Sequence, residues 1–353
     1  MRIQEQSEIL LPDGSYMPRL GQGTWQMGED DEHYHREVEG LRYGIQEGIR
    51  MLDTAEMYAD GKAENITGNA IRDFYREDLY VVSKVYPQNA NRHRIYSSLE
   101  RSLKLLGTDY LDLYLLHWRE DADLAEVVYC MEDLKRQGKI RRWGVSNFDV
   151  QDMEDLMKVP DGKNCCVNQV LYNLGCRGIE YDLLPWQREH QIPIMAYSPV
   201  GQAGALVTQD GVSKQMLMTD KNVIEVAARH QISLVQLLLA FVLQQPDVAA
   251  IPKAVSFDHH VERVGHRGVR GRYPCKLADG ERNAFGKFRL HKLRELAHNV
   301  AVVIELDGAD LDNLITQPTS LALLWHRRKL KVQHNLARKV RRIDSRDTRR
   351  LFS

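Results

Sequence analysis

Short apolar runs alternate with longer stretches of helical periodicity along most of this chain. Strands are predicted near Arg19–Trp25 and at Met51–Thr54, Leu79–Lys84, Leu111–His117, Arg142–Asn147, Cys165–Val170, Ile192–Ser198 and Val248–Pro252. Helices are predicted between them, at Glu32–Glu47, Ala63–Tyr75, Arg92–Leu106, Leu124–Gln137, Gln151–Lys158, Leu183–His190 and Asn222–Gln244. The third shows the spacing most plainly. Ile95, Leu99, Leu103 and Leu106 recur every three or four residues, with Arg94, Ser98, Arg101 and Lys104 on the other face. The strand runs are nearly continuous in apolar residues, as parallel strands covered on both faces require. Eight such strands, each beside a helix, predict an α/β fold, a (β/α)8 TIM barrel, rather than a sandwich. Ahead of them, Ile9–Leu11, Asp13–Gly14 and Met17–Leu20 have the pattern of a β-hairpin with a tight turn. It is placed to plug the N-terminal end of the barrel.

Polar residues interrupt this pattern at one kind of place. In a parallel barrel, chemistry gathers at the C-terminal ends of the strands. Those ends carry Trp25, Asp53, Lys84, His117, Ser146 with Asn147, Gln169, Tyr197 and Lys253. Neighbouring strands bring Asp53, Lys84 and His117 together, and a short loop adds Tyr58. A tyrosine with an ordinary pKa of about 10 is a poor proton donor at neutral pH. An adjacent ammonium is expected to lower that value, and a carboxylate to hold the ammonium charged. The imidazole can orient a carbonyl oxygen. Taken singly, Asp53 and Lys84 also read as a buried ion pair, Tyr58 as a loop aromatic and His117 as a core histidine. Trp25, Tyr86 and Trp118 would form an aromatic wall beside Tyr58. Arg119 could attract a carboxylate, but reads better as paired with Glu120 or Asp121.

Composition narrows the class. The chain has 353 residues, 43% hydrophobic and 27% charged, enough for a large core without metals or disulfides. The N-terminal residues carry no secretory pattern, and the five cysteines (Cys130, Cys165, Cys166, Cys176, Cys275) lack metal spacing. Free thiols in a reducing cytoplasm are expected. No metal site is expected either, so a metal-dependent hydrolase built on His117 and Asp53 has little support. The net charge of −1 conceals an asymmetry: residues 264–353 hold 20 Lys and Arg against 9 Asp and Glu. Without interleaved aromatic residues this basic stretch reads as a solvated appendage, so no nucleic acid and no membrane partner is expected.

From about Ile9 to Glu262 the chain resembles the aldo-keto reductase family. The resemblance rests on LDTAEMYADGKAE, VVSKVYP and LLHW, on GVSNF at Gly144–Phe148 and on NQVLYN at Asn168–Asn173. AYSPVG at Ala196–Gly201 and IPKA at Ile251–Ala254 complete the ordered set. HWRE and PVGQAG are most similar to the bacterial branch of methylglyoxal and diketo-acid reductases. The resemblance implies a catalytic tetrad of Asp53, Tyr58, Lys84 and His117, with Tyr58 as general acid, acting on a small carbonyl substrate. It implies an NADPH site (NADH less favoured) built from Gly23, Thr24, Ser146, Asn147, Gln169, Tyr197, Ser198, Pro199, Lys253 and Glu262. Lys253 would reach a 2′-phosphate. No G-x-G-x-x-G opens a helix, and Gly21-Gln22-Gly23 reads as a turn that lets backbone approach a ligand. Arg263 stands where the family usually has asparagine, and His259 where a basic residue often helps. The expected organisation is a barrel over 1–263, an atypical insertion over 264–297, a displaced family-like element over 298–325 and a basic tail over 326–353. The divergent C-terminal extension keeps a second reading open, an NADPH-binding regulatory or redox-sensing barrel with little turnover. A monomer or small homo-oligomer is expected.

Overall fold

Eight parallel strands wrap into a barrel in the computed structural model, which describes residues 8–202 and 213–253. β1 (Glu8–Leu10) and β2 (Tyr16–Pro18) pair antiparallel as the leading hairpin. The barrel strands are β3 (Gly21–Gly23), β4 (Met51–Asp53), β5 (Tyr80–Val85), β6 (Leu111–Leu116), β7 (Ile140–Ser146), β8 (Asn168–Leu171), β9 (Ile194–Tyr197) and β10 (Val248–Ile251). Each pairs with its neighbour in chain order. The helices between them are α1 (Tyr34–Gln46), α2 (Lys62–Ile71), α3 (Ile95–Leu106), α4 (Leu124–Arg136), α5 (Val150–Met157) and α6 (Leu183–Glu189). α7 (Lys214–Thr219), α8 (Lys221–Arg229) and α9 (Leu234–Leu243) precede β10. The expected insertion, displaced element and basic tail, with His259, Glu262, Arg263 and Cys275, lie outside the described residues.

The two-residue period of a strand sorts its side chains into two sets. Leu52, Val81, Tyr114, Val145, Ile194 and Ala250 face outward into the layer shared with the helices. The α3 stripe Ile95, Leu99, Leu103 and Leu106 is buried there, each side chain contributing roughly 1.5–3 kcal/mol. Met51, Val82, Leu113, Leu115, Val167, Met195, Ala249 and Ile251 face the barrel interior, together with Ile9, Leu11 and Met17 from the hairpin. Met51 and Tyr80 open their strands, so the hairpin plugs the N-terminal end as expected. The next inward positions toward the other end are Asp53, Lys84, His117, Gln169 and Tyr197. The polar constellation is therefore the last layer of the barrel interior, resting on an apolar floor.

Packing inside and at the seam of the barrel explains two glycines differently from the sequence reading. Ala250 donates its backbone N–H to Arg19 O at 2.8 Å, and Gly23 to Pro252 O at 2.9 Å, joining the first barrel strand to the last. A Cβ on Gly23 would stand 2.9 Å from the carbonyl oxygen of Ile251, and one on Gly21 equally close to the end of Met51. Gly23 lets the first and last strands approach at the seam, and Gly21 leaves room for the Met51 side chain inside the barrel; a ligand is not needed to explain either. Gly23→Ala is expected to destabilise the cofactor-free protein by about 1–3 kcal/mol, read by urea denaturation.

One predicted element is corrected. Asn222–Gln244 is two helices, α8 and α9, bent by 89°. Gln231 takes a φ of 56°, and Ser233 starts α9 with a reciprocal capping box. Ser233 Oγ accepts from Gln236 N, and Ser233 N donates to Gln236 Oε1 at 2.7 Å. Ser-x-x-Gln carried that signal within the apolar run. No single helix among the described residues is long and apolar enough to cross a membrane. Cys130, Cys165 and Cys166 are buried free thiols, and Cys176 is a partly buried one.

Candidate active site

Asp53, at the end of β4, and Lys84, near the end of β5, are both shut off from solvent. Lys84 Nζ donates to Asp53 Oδ1 at 2.6 Å, to the Thr54 carbonyl at 2.7 Å and to Tyr58 Oη at 3.2 Å. The other carboxylate oxygen, Asp53 Oδ2, accepts from Gln169 Nε2 at 2.8 Å across the barrel. Three strands thus fix one ammonium. Tyr58 reaches it from a tight loop in which Ala59 and Asp60 both take positive φ, 47° and 52°. Its ring meets Trp25 edge-on at 4.9 Å and His117 at 5.7 Å. His117 stacks on Trp118 at 3.9 Å, and Tyr86 lies over Trp118 at 6.0 Å. The four expected acid–base residues and the three aromatic residues form one cluster at the barrel mouth.

Burial dominates the electrostatics. It pushes the Tyr58 phenol well above its ordinary value, and the Asp53 carboxylate pushes the same way. The expected lowering by the lysine is outweighed, because the phenol is shut away beside an anion that already engages that ammonium. Burial lowers Lys84, and Asp53 offsets part of the fall. Burial and the Lys84 charge hold His117 well below the ordinary histidine value. At neutral pH the site therefore presents a protonated phenol and a neutral imidazole. His117 Nδ1 is buried without a hydrogen-bond partner.

Of the residues expected to hold the cofactor, Ser146, Asn147, Gln169 and Tyr197 lie at the ends of β7 to β9, beside this cluster. Asn147, at a φ of 60°, donates from Nδ2 to the His117 carbonyl and to Ser146 Oγ, both at 3.1 Å. It accepts from Tyr197 Oη at 3.0 Å. Ser146 Oγ donates to the Gln169 carbonyl at 2.8 Å. Thr24 spends both its backbone N–H and its hydroxyl on the Asp53 carbonyl, each at 3.0 Å. Ser198 takes a φ of 50°, and its carbonyl accepts from Asn173 at 2.9 Å; Pro199 is buried beside it. Lys253 is exposed at the seam, 3.3 Å from the Gln26 carbonyl. Gly23 joins the group through its seam bond.

Two further contacts depart from the sequence reading. Arg119 pairs neither with Glu120 nor with Asp121 but with Asp152 and Asp155 of α5, both at 2.8 Å. Glu56, which the sequence reading passed over, accepts from the Tyr86 backbone at 2.6 Å and from Asn89 Nδ2 at 3.1 Å. It ties two site loops together. Its signal was a second carboxylate within the short turn between Asp53 and Tyr58.

The family model described as the aldo/keto reductase family matches residues 19–265. Methylglyoxal reductase YeaE of Escherichia coli (strain K12) is 51% identical over 255 residues, covering 72% of this chain and 87% of that protein. Glyoxal reductase of Bacillus subtilis (strain 168) is 31% identical over 258 residues, covering 72% and 85% respectively. An aldo/keto reductase from Klebsiella pneumoniae, crystallised with NADP and acetate, superposes with a TM-score of 0.70 at 42% identity. That likeness covers 87% of this chain and 94% of that one.

Proposed function

The chain belongs to the aldo/keto reductase family, and from that premise we propose that it reduces small aldehydes or ketones, 2-oxoaldehydes foremost, with NADPH and with Tyr58 as proton donor. The observation that carries this reading is the contact of one buried ammonium with both Asp53 and Tyr58, next to a neutral imidazole. The similarity to methylglyoxal and glyoxal reductases supports the substrate class, and the NADP-bound neighbour supports the cofactor.

The residues present suit a nicotinamide. Gln169 commits its Nε2 to Asp53, which leaves Oε1 to accept from a carboxamide. Tyr197 is half-buried at the mouth and offers a ring on which a flat heterocycle can rest. Asn147 and Ser146 have most of their capacity engaged in protein contacts, so their part is to hold Tyr197 and the His117 backbone in place. When bound, NADPH supplies the hydride that adds to the carbonyl carbon. His117 donates a hydrogen bond to the carbonyl oxygen from Nε2, since Nδ1 faces the protein interior. Tyr58 gives its proton to the oxygen as negative charge develops there. Lys84 then donates to the resulting phenolate, which is how the ammonium assists although burial keeps the resting phenol protonated. Trp25, Tyr86 and Trp118 form the walls around the substrate.

Loss of NADPH absorbance with methylglyoxal and a panel of short aldehydes tests the reading. Tight NADPH binding with no turnover on any of them would move it to a regulatory barrel. Lys253 is proposed to carry NADPH preference through a 2′-phosphate. A charge-assisted hydrogen bond of about 1.5–3 kcal/mol corresponds to roughly tenfold or more in affinity. Lys253→Met is therefore expected to raise KM for NADPH by about that factor while leaving KM for NADH unchanged.

A further inference from the structure

A second buried carboxyl lies behind the ammonium, on the opposite side of β5. Glu64, in the first turn of α2, is fully buried. Its Oε1 accepts from Ser83 Oγ at 2.6 Å, and its Oε2 has no hydrogen-bond partner. Ser83 is the residue before Lys84 and points outward from the barrel where Lys84 points inward. The helical spacing places Glu64 on the stripe of Ala63, Ile66, Thr67 and Ala70, where an apolar residue would be ordinary. A buried carboxyl with one oxygen unpaired is costly, and such a cost calls for an explanation.

Resting on the reductase reading above, we propose that Glu64 is a positioning residue whose charge, acting through β5, governs the Lys84 ammonium and with it the proton donor Tyr58. The groups facing it are few. Ser83 and Lys84 come from β5, Ser102 and Arg101 from α3, Glu56 from the loop after β4 and Tyr114 from β6. Ser83, Ser102 and Arg101 favour its ionised form, whereas burial and Glu56 oppose it, and the balance places its titration at about 7. Below that pH the carboxyl is neutral. Above it, the anion holds Lys84 charged but opposes the negative charge that Tyr58 must take on when it releases its proton. The rate of NADPH oxidation in a single turnover is therefore expected to step down as pH rises through about 7.

Glu64→Gln keeps an acceptor for Ser83 and cannot ionise. It is expected to lose that step, with KM for NADPH unchanged. A direct readout uses the full-length protein labelled at lysine Cε, with the Lys84 resonance identified by its absence in Lys84→Arg. In the wild type this resonance shifts with a midpoint near pH 7, and in Glu64→Gln it does not. Ser83→Ala, which removes a contact favouring the anion, moves the midpoint upward. Should Glu64→Gln fail to fold, Ser83→Ala decides by itself. An unmoved midpoint in Ser83→Ala, a wild-type resonance without a step, or the same step in Glu64→Gln overturns the proposal. The resonance is read without turnover, so a coupled Lys84 in a protein that reduces no carbonyl overturns the reductase reading and leaves the coupling standing.

Discussion

Tyr58→Phe is expected to lower the single-turnover rate of carbonyl reduction by about 10²–10⁴-fold, the span typical of a positioned proton donor. The variant isolates the proton because little else depends on the hydroxyl. Lys84 keeps Asp53 and the Thr54 carbonyl as partners, so no charge is stranded. The ring keeps its edge contact with Trp25 and its place 4.9 Å beneath the ammonium. A single hydrogen bond is worth about 0.5–1.5 kcal/mol, so stability changes little. Nucleotide fluorescence should report an unchanged Kd for NADPH, since no residue proposed to hold the cofactor touches the hydroxyl. Wild-type turnover in the variant would assign the proton to another group, with His117 as the neighbour to test.

The fold and the acid–base cluster were legible for one reason. A residue that must face the barrel mouth occupies an inward position at a strand end, and the period of two fixes that position within a short apolar run. Asp53, Lys84, His117, Gln169 and Tyr197 all obey it. What escaped the sequence depends on contacts between layers. The Asp53–Gln169 bond spans 116 residues of chain, and nothing local marks it. Arg119 prefers α5 to its own neighbours because a helix presents Asp152 and Asp155 together, three residues apart on one face. Asn147 and Gln169 are both amides in family-like motifs, yet Asn147 mainly ties loops together whereas Gln169 also anchors the carboxylate. Residue type alone does not separate these tasks. Glu64 was visible only as a charged residue on an apolar helical stripe, and its importance comes from β5, which puts Ser83 and Lys84 on opposite faces.

Lys84→Met should be the most damaging single change, because it removes the cation and strands its partner. Asp53 would remain almost wholly buried with only Gln169 to satisfy it. Breaking a buried pair in this way costs about 3–5 kcal/mol, most of it the penalty on the surviving charge. Urea denaturation at neutral pH should read that loss as a lowered midpoint relative to the wild type. The double variant Asp53→Asn with Lys84→Met carries no buried charge. It should recover most of the lost stability, short by about 1 kcal/mol for the Thr54 carbonyl left without its donor. Activity should not return with it, because Tyr58 still lacks an ammonium to receive the developing phenolate. A double variant that regains both stability and turnover would mean that the ion pair serves only the fold, and that proton donation proceeds without it.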